Sequence, residues 1–222
     1  MPDPEIYIVC SEVAMQTGAS AKELLMQAGL FDDQSLQTSI PGLRYEESFL
    51  SSTEEAHLIE VIQSLPFKSA KYKQYFAKRR VVGFGGSFDF ETNQLKPGQP
   101  LDQRLLPLLM RVAQWANMEP ERLSHALVSE YSPDTPLGWH RDVPDFESIF
   151  GISLGATATL KFRPYPYNPK RPHQAFSLEV RPRSIYVMRG DARWKWQHCV
   201  EETSEMRWSV TFRDMRRPRH PI

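Results

Sequence analysis

The feature that most constrains the fold is a series of short apolar runs that fills the chain after Pro120. The runs are rich in apolar and β-branched side chains, and turn-forming residues separate them. So many short strands indicate an antiparallel sandwich or barrel, with helices from earlier in the chain packed on one sheet. The six runs are residues 127–131, 149–154, 157–162, 175–180, 184–188 and 208–212.

Two segments before these runs predict helices. Ser51 begins a capping sequence, and apolar residues then recur at helical spacing until Pro66. Residues 101–117 have the same periodicity, and Pro107 is tolerated there only near the first helical turn. A third helical pattern, at residues 19–29, is followed by a polar linker.

These patterns predict the organisation of the chain. We expect an N-terminal extension of unknown role at residues 1–40 and one domain at residues 41–222. Within that domain, residues 41–120 would supply helical support, and residues 121–215 would form the β core.

The composition predicts a single packed domain in the cytoplasm. The chain has 222 residues, of which 41% are hydrophobic, and this is ample for a core. No run approaches the roughly 18 uncharged apolar residues that a membrane span requires. The N-terminus lacks the basic region of a secretory signal, and the two cysteines are too few for a disulfide framework. We expect a cytoplasmic monomer with reduced cysteines.

The charge is balanced overall but unevenly distributed. Residues 1–60, 61–160 and 161–222 carry net charges of −9, +1 and +8. This leaves room for a basic binding face, although the acidic beginning could instead cover the basic end. Residues 68–80 combine six cationic side chains with three aromatic ones. That combination suits single-stranded nucleic acid, and it is equally compatible with an exposed connecting segment.

A candidate metal site centres on Trp139-His140-Arg141-Asp142 and on His198, 58 residues after His140. In an extended segment, alternate side chains point the same way, so His140 and Asp142 share a face. Two imidazoles and one carboxylate can bind one face of a non-haem iron(II) and leave the other face open. The alternative is that the three are ordinary hydrogen-bonded polar residues.

Two arginines predict a second part of the site. Arg207 and Arg213 lie six residues apart in an alternating strand, so they share a face with Ser209 and Thr211. Buried guanidiniums require an anionic partner, and a small dicarboxylate such as 2-oxoglutarate would supply it. Alternatively, the arginines point to solvent or pair with acidic side chains.

Four separated stretches carry a family resemblance. They are Tyr131…Gly138-Trp-His140-Arg-Asp142, Ile152-Ser-Leu-Gly155, Gly190-Asp-Ala-Arg193-Trp-Lys-Trp-Gln-His198 and Arg207-Trp-Ser-Val-Thr-Phe-Arg213. Together they resemble the AlkB family of iron(II)- and 2-oxoglutarate-dependent dioxygenases. The resemblance implies an α+β fold, namely a double-stranded β-helix (jelly roll) with supporting N-terminal helices.

The resemblance also implies residue roles. His140, Asp142 and His198 would bind iron, Arg207 would bind the distal carboxylate of 2-oxoglutarate, and Arg213 would lie near its keto-acid end. Tyr131 and Ser209 would add hydrogen bonds to the co-substrate. The basic stretch would fall at the family's substrate lid, within residues 41–120. Candidate substrate contacts are Phe84, Trp139 and Arg193.

The implied reaction uses Fe(II), 2-oxoglutarate and O2 to remove N-methyl groups from nucleic-acid bases, in DNA or RNA, that are single-stranded or flipped out. Two positions depart from the family: Pro144 replaces an acidic residue, and Ser129 stands where asparagine is common. The alternatives are oxidation of a protein or a small molecule, and a non-catalytic nucleic-acid-binding module. If residues 68–80 and the loop at residues 163–173 flank the metal, nucleic acid is favoured.

Overall fold

A computed structural model describes residues 36–37, 39–72, 75–89, 92, 94–170 and 175–216. The chain divides into Met1–Leu36 and Gln37–Ile222, and the architecture below is that of the second unit. The helix predicted at residues 19–29 lies outside the described residues. None of the described helices has the length and apolar character needed to cross a membrane.

The domain is built on two antiparallel sheets and one hairpin. The larger sheet has the order β1-β2-β12-β9-β14-β7-β4-β3, the smaller has the order β11-β10-β13-β8, and β5 pairs with β6. The strands are β1 (Leu36–Gln37), β2 (Leu43–Glu46), β3 (Lys68–Tyr72), β4 (Tyr75–Phe84), β5 (Gly86–Asp89), β6 (Gln94–Pro97), β7 (His125–Tyr131), β8 (Leu137–His140), β9 (Phe146–Gly155), β10 (Ala158–Pro164), β11 (Phe176–Val180), β12 (Ser184–Met188), β13 (Trp196–Val200) and β14 (Arg207–Met215).

The central strands of the larger sheet are buried on both faces. In β12, Ile185 and Val187 belong to one hydrophobic cluster, whereas Tyr186 and Met188 belong to another. This alternation follows from the two-residue period of a strand. The first cluster also contains residues of the helices. The second contains Leu160 and other residues of the smaller sheet, so it fills the space between the two sheets.

Two helices cover the outer face of the larger sheet. Helix α1 (Ser52–Gln63) begins with a capping box in which Ser51 accepts from the Glu54 amide and Glu54 accepts from the Ser51 amide. Helix α2 (Leu106–Ala116) follows a short 3-10 turn (Gln103–Leu105) and has proline in its first turn, as predicted. A second 3-10 turn spans Pro120–Arg122, and α3 (Gly190–Trp194) is a short helix before β13.

The structure adds strands that the apolar pattern did not predict. The predicted basic segment forms β3 and β4, and β8 and β13 arise in stretches without regular apolar alternation. Strand β8, with the sequence Leu-Gly-Trp-His, lies at the edge of the smaller sheet and pairs with β13 alone. Because it depends on a partner from a distant part of the chain, its own sequence carries little strand signal.

We expect Ser51→Ala to lower the free energy of unfolding by about 1 kcal/mol, since it leaves a helical amide without its side-chain acceptor. Urea denaturation measures the change. Ser52→Ala is the matched control, because Ser52 is the first helical residue and is exposed. Equal effects of the two substitutions would contradict the assigned cap.

Candidate metal centre and co-substrate site

Cross-strand pairing brings the two predicted ligand histidines together. His140 ends β8, and its partner across the strand pair is His198 on β13. Side chains directly opposite each other in an antiparallel pair lie on the same face and in contact. The two imidazole centroids are accordingly 4.2 Å apart, with an interplanar angle of 54°.

Asp142 completes a cluster of three ligand-type side chains. One ligand atom from each of His140, Asp142 and His198 lies within 4.8 Å of the others. The Asp142 Oδ2 atom is 3.6 Å from His198 Nε2. Two donors bound to one ion at about 2.1 Å stand at most about 4.2 Å apart, so small side-chain shifts would let all three bind one ion.

The hydrogen bonding of His140 fixes which nitrogen is available. Its Nδ1 lies 2.8 Å from the Gly138 carbonyl oxygen. A carbonyl only accepts, so Nδ1 carries the proton and donates, and Nε2 keeps its lone pair. An imidazole whose second nitrogen is held in this way is typical of metal ligands.

Burial of the two histidines and the charges around Asp142 keep the ligands in the protonation states that bind metal. It lowers the pKa of His140 below its ordinary value and lowers the pKa of His198 to about 3. Both rings are therefore neutral near pH 7. Burial alone would raise the pKa of Asp142, but the Arg213 guanidinium leads the opposing effects and holds that pKa below the ordinary value. The cluster thus offers two neutral nitrogens and one carboxylate.

Two arginines, one buried and one partly buried, hold Asp142 in place. Arg213 Nη2 lies 3.3 Å from Asp142 Oδ1. Arg193 Nη2 donates to the main-chain carbonyls of Asp142 and Val143, at 3.1 and 2.6 Å. Arg193 is only 3% exposed, so it holds the main chain at residues 142–143 from the interior of the domain. Little of the Arg193 side chain reaches the surface, and its contact with substrate stays a prediction.

Arg207 presents an unsatisfied charge beside the cluster. Its side chain is 1% exposed, its Nε donates to Ser153 Oγ at 3.2 Å, and its guanidinium lies over the Tyr131 ring at 5.0 Å. Its Nη1 has no hydrogen-bond partner among the described residues. A buried guanidinium costs considerable free energy unless an anion meets it, so this geometry calls for a carboxylate.

The other predicted co-substrate residues surround Arg207. Tyr131 is buried opposite it in the β7–β14 pair, and Ser209 is buried between Ser129 of β7 and Ser153 of β9. The Tyr131 hydroxyl is at a long hydrogen-bond distance, 3.5 Å, from Arg79 Nη1. Arg79 also contributes to lowering the pKa of His140, which places its charge near the metal cluster.

Tyr186 belongs to the site although the sequence pattern gave no indication of it. Its ring lies across Gly151, where an added Cβ would approach the ring carbons to 2.2 Å. Burial raises the pKa of Tyr186, and the charges of Arg207, Asp142 and Arg213 also act on it. A glycine opposite a tyrosine in adjoining strands was the one available signal, and it can be interpreted only once the strand pairing is known.

The two predicted aromatic substrate contacts have different surroundings. Phe84 is 4% exposed and packs in the hydrophobic cluster beneath the helices. Strand β4 turns this side chain into the core, and its contact with a base stays a prediction. Trp139 is 37% exposed and directly precedes His140, so its contact with substrate stays a prediction.

The residues fit the groups that the sequence implied. The His-Asp-His cluster offers the donor types that iron(II) accepts, and Arg207 has no anionic partner in the part of the chain that the structure describes. His140, Asp142 and His198 would hold the metal, and Arg207 with Tyr131 would hold one end of 2-oxoglutarate.

We expect His140→Ala and Asp142→Ala each to weaken Fe(II) binding by more than the roughly 10- to 100-fold that loss of an outer-shell partner costs. Anaerobic titration calorimetry measures the affinity. His57→Ala is the matched control, because His57 is exposed on α1. Retained Fe(II) affinity in either site variant would contradict the ligand assignment.

We expect Arg207→Ala to raise the KM for 2-oxoglutarate roughly 30-fold or more, because truncating one partner of a buried charge pair costs about 2–5 kcal/mol. Steady-state kinetics measures it. Arg104→Ala serves as a control, since Arg104 pairs with Asp102 at a half-exposed position. An equal rise in the KM for the second substrate would show that Arg207 has a different partner.

Comparisons with known proteins identify the family. The profile of the 2OG-Fe(II) oxygenase superfamily matches residues 42–219. The solved structure described as "The structure of OsALKBH1" matches with a TM-score of 0.64 and 16% sequence identity, covering 81% of this chain and 99% of that one. This similarity confirms the predicted jelly-roll fold.

Two curated relatives have sequence similarity across most of the chain. The mouse (Mus musculus) protein "tRNA (carboxymethyluridine(34)-5-O)-methyltransferase ALKBH8" is 26% identical over 178 residues, which are 76% of this chain and 25% of that protein. The "Alkylated DNA repair protein ALKBH8 homolog" of Arabidopsis thaliana is 25% identical over 185 residues, which are 74% of this chain and 52% of that protein. The chain thus spans about a quarter and about half of their lengths.

With the profile match, these similarities confirm the resemblance to the AlkB family, and the chain belongs to the 2OG-Fe(II) oxygenase superfamily.

Proposed function

We propose that the protein is an iron(II)- and 2-oxoglutarate-dependent dioxygenase that removes N-alkyl groups from nucleic-acid bases. One observation carries the proposal: a partly buried His-Asp-His cluster and a buried arginine, Arg207, both lie near Tyr186, and the Arg207 Nη1 has no hydrogen-bond partner among the described residues. The cluster supplies the ligands for a metal, and the arginine supplies the cation for a dicarboxylate.

The overall reaction balances with these components. One oxygen atom of O2 enters succinate as 2-oxoglutarate loses CO2, and the other enters a C–H bond of the N-methyl group. The resulting N-hydroxymethyl group breaks at its C–N bond and gives formaldehyde and an N–H. The bound iron would supply the oxidation chemistry.

The protein's own contribution is to bind, orient and exclude water. Arg207 would fix the far carboxylate of 2-oxoglutarate against Tyr131 and Ser209. Arg213 and Arg193 orient Asp142 through its carboxylate and its carbonyl. The buried Tyr186 ring packs directly against Gly151, and this close packing would limit access of water on that side.

Two observations support nucleic acid as the substrate. The printed names of both curated relatives refer to nucleic acid, as tRNA and as alkylated DNA. The predicted basic segment also contributes Arg79 near Tyr131 and the metal cluster. Its neighbour Arg80 contributes less, since its charge is paired with Glu130 at 2.7 Å. Arg79 is therefore the cation of this segment that we assign to the substrate.

We expect formaldehyde and succinate in equal amounts when the protein, Fe(II), ascorbate and 2-oxoglutarate are mixed with an N-methylated single-stranded oligonucleotide. The unmethylated oligonucleotide of the same sequence should yield no formaldehyde. Asp142→Ala should yield neither product.

Other outcomes would contradict different parts of the proposal. Succinate without formaldehyde would keep the dioxygenase and exclude this substrate, leaving a protein or small molecule. Neither product, with oligonucleotide binding intact, would indicate a non-catalytic nucleic-acid-binding module.

A further inference from the structure

The exposed aromatic side chains of the described residues lie together. Trp139, Tyr165 and Tyr167 are 37%, 44% and 44% exposed, and among the described residues they are the aromatic ones with large exposed side chains. All three contact arginines of the same region, Arg141 or Arg163. We call these five residues the cation–aromatic face. Exposed aromatic clusters of this kind mark interaction surfaces.

Arg163 is stacked against two of the rings. Its guanidinium carbon lies 4.3 Å from the Trp139 ring centroid and 4.2 Å from that of Tyr167. Its Nε donates to Gln197 Oε1 at 2.9 Å, across the β10–β13 pair. The rings and the glutamine fix the plane of the guanidinium, so its two terminal nitrogens are held ready for an anion.

Arg141 is also stacked on an aromatic ring, and it is closer in the chain to the candidate metal ligands than Arg163 is. Its guanidinium carbon is 3.7 Å from the Tyr165 ring centroid, and its Nη1 donates to the Trp194 carbonyl at 3.3 Å. Arg141 stands between His140 and Asp142 in the chain. This second fixed cation is therefore adjacent to two candidate metal ligands.

These arginines differ from most others in their charge partners. Among the described residues, neither Arg141 nor Arg163 lies within ion-pair distance of a carboxylate. Many other arginines do pair with one, namely Arg44, Arg80, Arg104, Arg111, Arg122, Arg181, Arg183, Arg213 and Arg216. The cation–aromatic face thus keeps positive charge that other parts of the surface neutralise.

The sheet topology connects this face to the metal cluster. Arg163 follows the fully buried Phe162, which is opposite His198, so alternation turns Arg163 to the outer side of the smaller sheet. Trp139 lies on β8, the edge strand, next to His140. A flexible chain crossing the outer side could therefore reach the metal cluster around this edge.

We propose that the cation–aromatic face binds the single-stranded nucleic acid that flanks the target base. The inference rests on the proposed function and extends it to the flanking nucleotides. Arg141 and Arg163 bind phosphates through their free N–H groups, and the exposed areas of Trp139, Tyr165 and Tyr167 stack on bases. A single strand fits better than a duplex, because only unpaired bases offer their faces to the rings.

The test uses fluorescence anisotropy of the full chain with a labelled single-stranded oligonucleotide across a salt series. We expect Arg163→Ala to raise the Kd about tenfold and to lower the slope of log K against log salt by about 0.7, the value for one phosphate contact. Tyr167→Leu should raise the Kd about fivefold with an unchanged slope, since stacking on a base releases no counterions.

Three controls separate the possible causes. Arg181→Ala removes an exposed arginine that already pairs with Glu47 and Glu179, and it should bind like the wild type. Inorganic polyphosphate, which has no bases, should lose affinity with Arg163→Ala and keep it with Tyr167→Leu. Thermal unfolding of each variant shows that the fold is retained.

The remaining outcomes overturn the inference in distinguishable ways. If the wild type binds and demethylates the oligonucleotide and both variants bind it as tightly as the wild type, the cation–aromatic face is not the binding surface. The proposed function then stands. If Tyr167→Leu has no effect, the face is a charge patch without stacking. If the wild type binds no oligonucleotide, the nucleic-acid substrate of the proposed function fails as well.

Discussion

The structure depends on a sheet whose central strands are buried on both faces. Alternate residues of β9, β12 and β14 are directed to two different interiors, one beneath the helices and one between the sheets. The first is apolar and can be packed by Ile, Leu, Val and Phe. The second must hold Arg207, Arg213 and Tyr186 near the metal cluster. A stable apolar layer on one face thus supports a charged site on the other, on the same strands.

The charged residues of the site stabilise one another. Asp142 stays ionised despite burial because Arg213 lies against it, and its loop is held by Arg193. Arg193 is buried against the Asp142 main-chain carbonyl, and the partly buried Arg213 lies against the carboxylate. Breaking such a set at one member leaves the others as uncompensated buried charge, which is more costly than removing the whole set. Among the described residues, Arg207 has no such carboxylate partner. An arginine without a protein partner is suited to bind an anionic ligand, whereas Arg193 and Arg213 hold Asp142.

Much of the fold and part of the site could be predicted from the sequence. The apolar runs are local signals and correspond to β7, β9, β10, β11, β12 and β14. Alternation along β14 placed Arg207 and Arg213 on one face, and the structure has both inside the domain. The two-residue spacing placed His140 and Asp142 together, His198 was the distant histidine assigned to the same site, and the family resemblance implied the same three residues.

What could not be predicted depends on distant pairing. Strand β8 pairs with β13, 58 residues away at the two histidines, and β13 in turn pairs with β10. Arg80 looked like a free cation until β4 and β7 brought Glu130 beside it. Phe84 was a candidate contact for a base, and the direction of its side chain on β4, which packs it in the core, could be known only from the strand pairing. The ring of Tyr186 lies within an apolar run, where its sequence context indicates only packing.

The contact between Gly151 and Tyr186 has a consequence for protein redesign. A Cβ at residue 151 would fall 2.2 to 2.5 Å from the ring and hydroxyl of Tyr186, so the two positions form one steric unit. Neither can gain volume unless the other loses it. Exchanging the tyrosine for a smaller side chain would open a space the size of a phenol ring near Arg207. This pair is thus a place where the space near Arg207 can be enlarged without altering His140, Asp142 or His198.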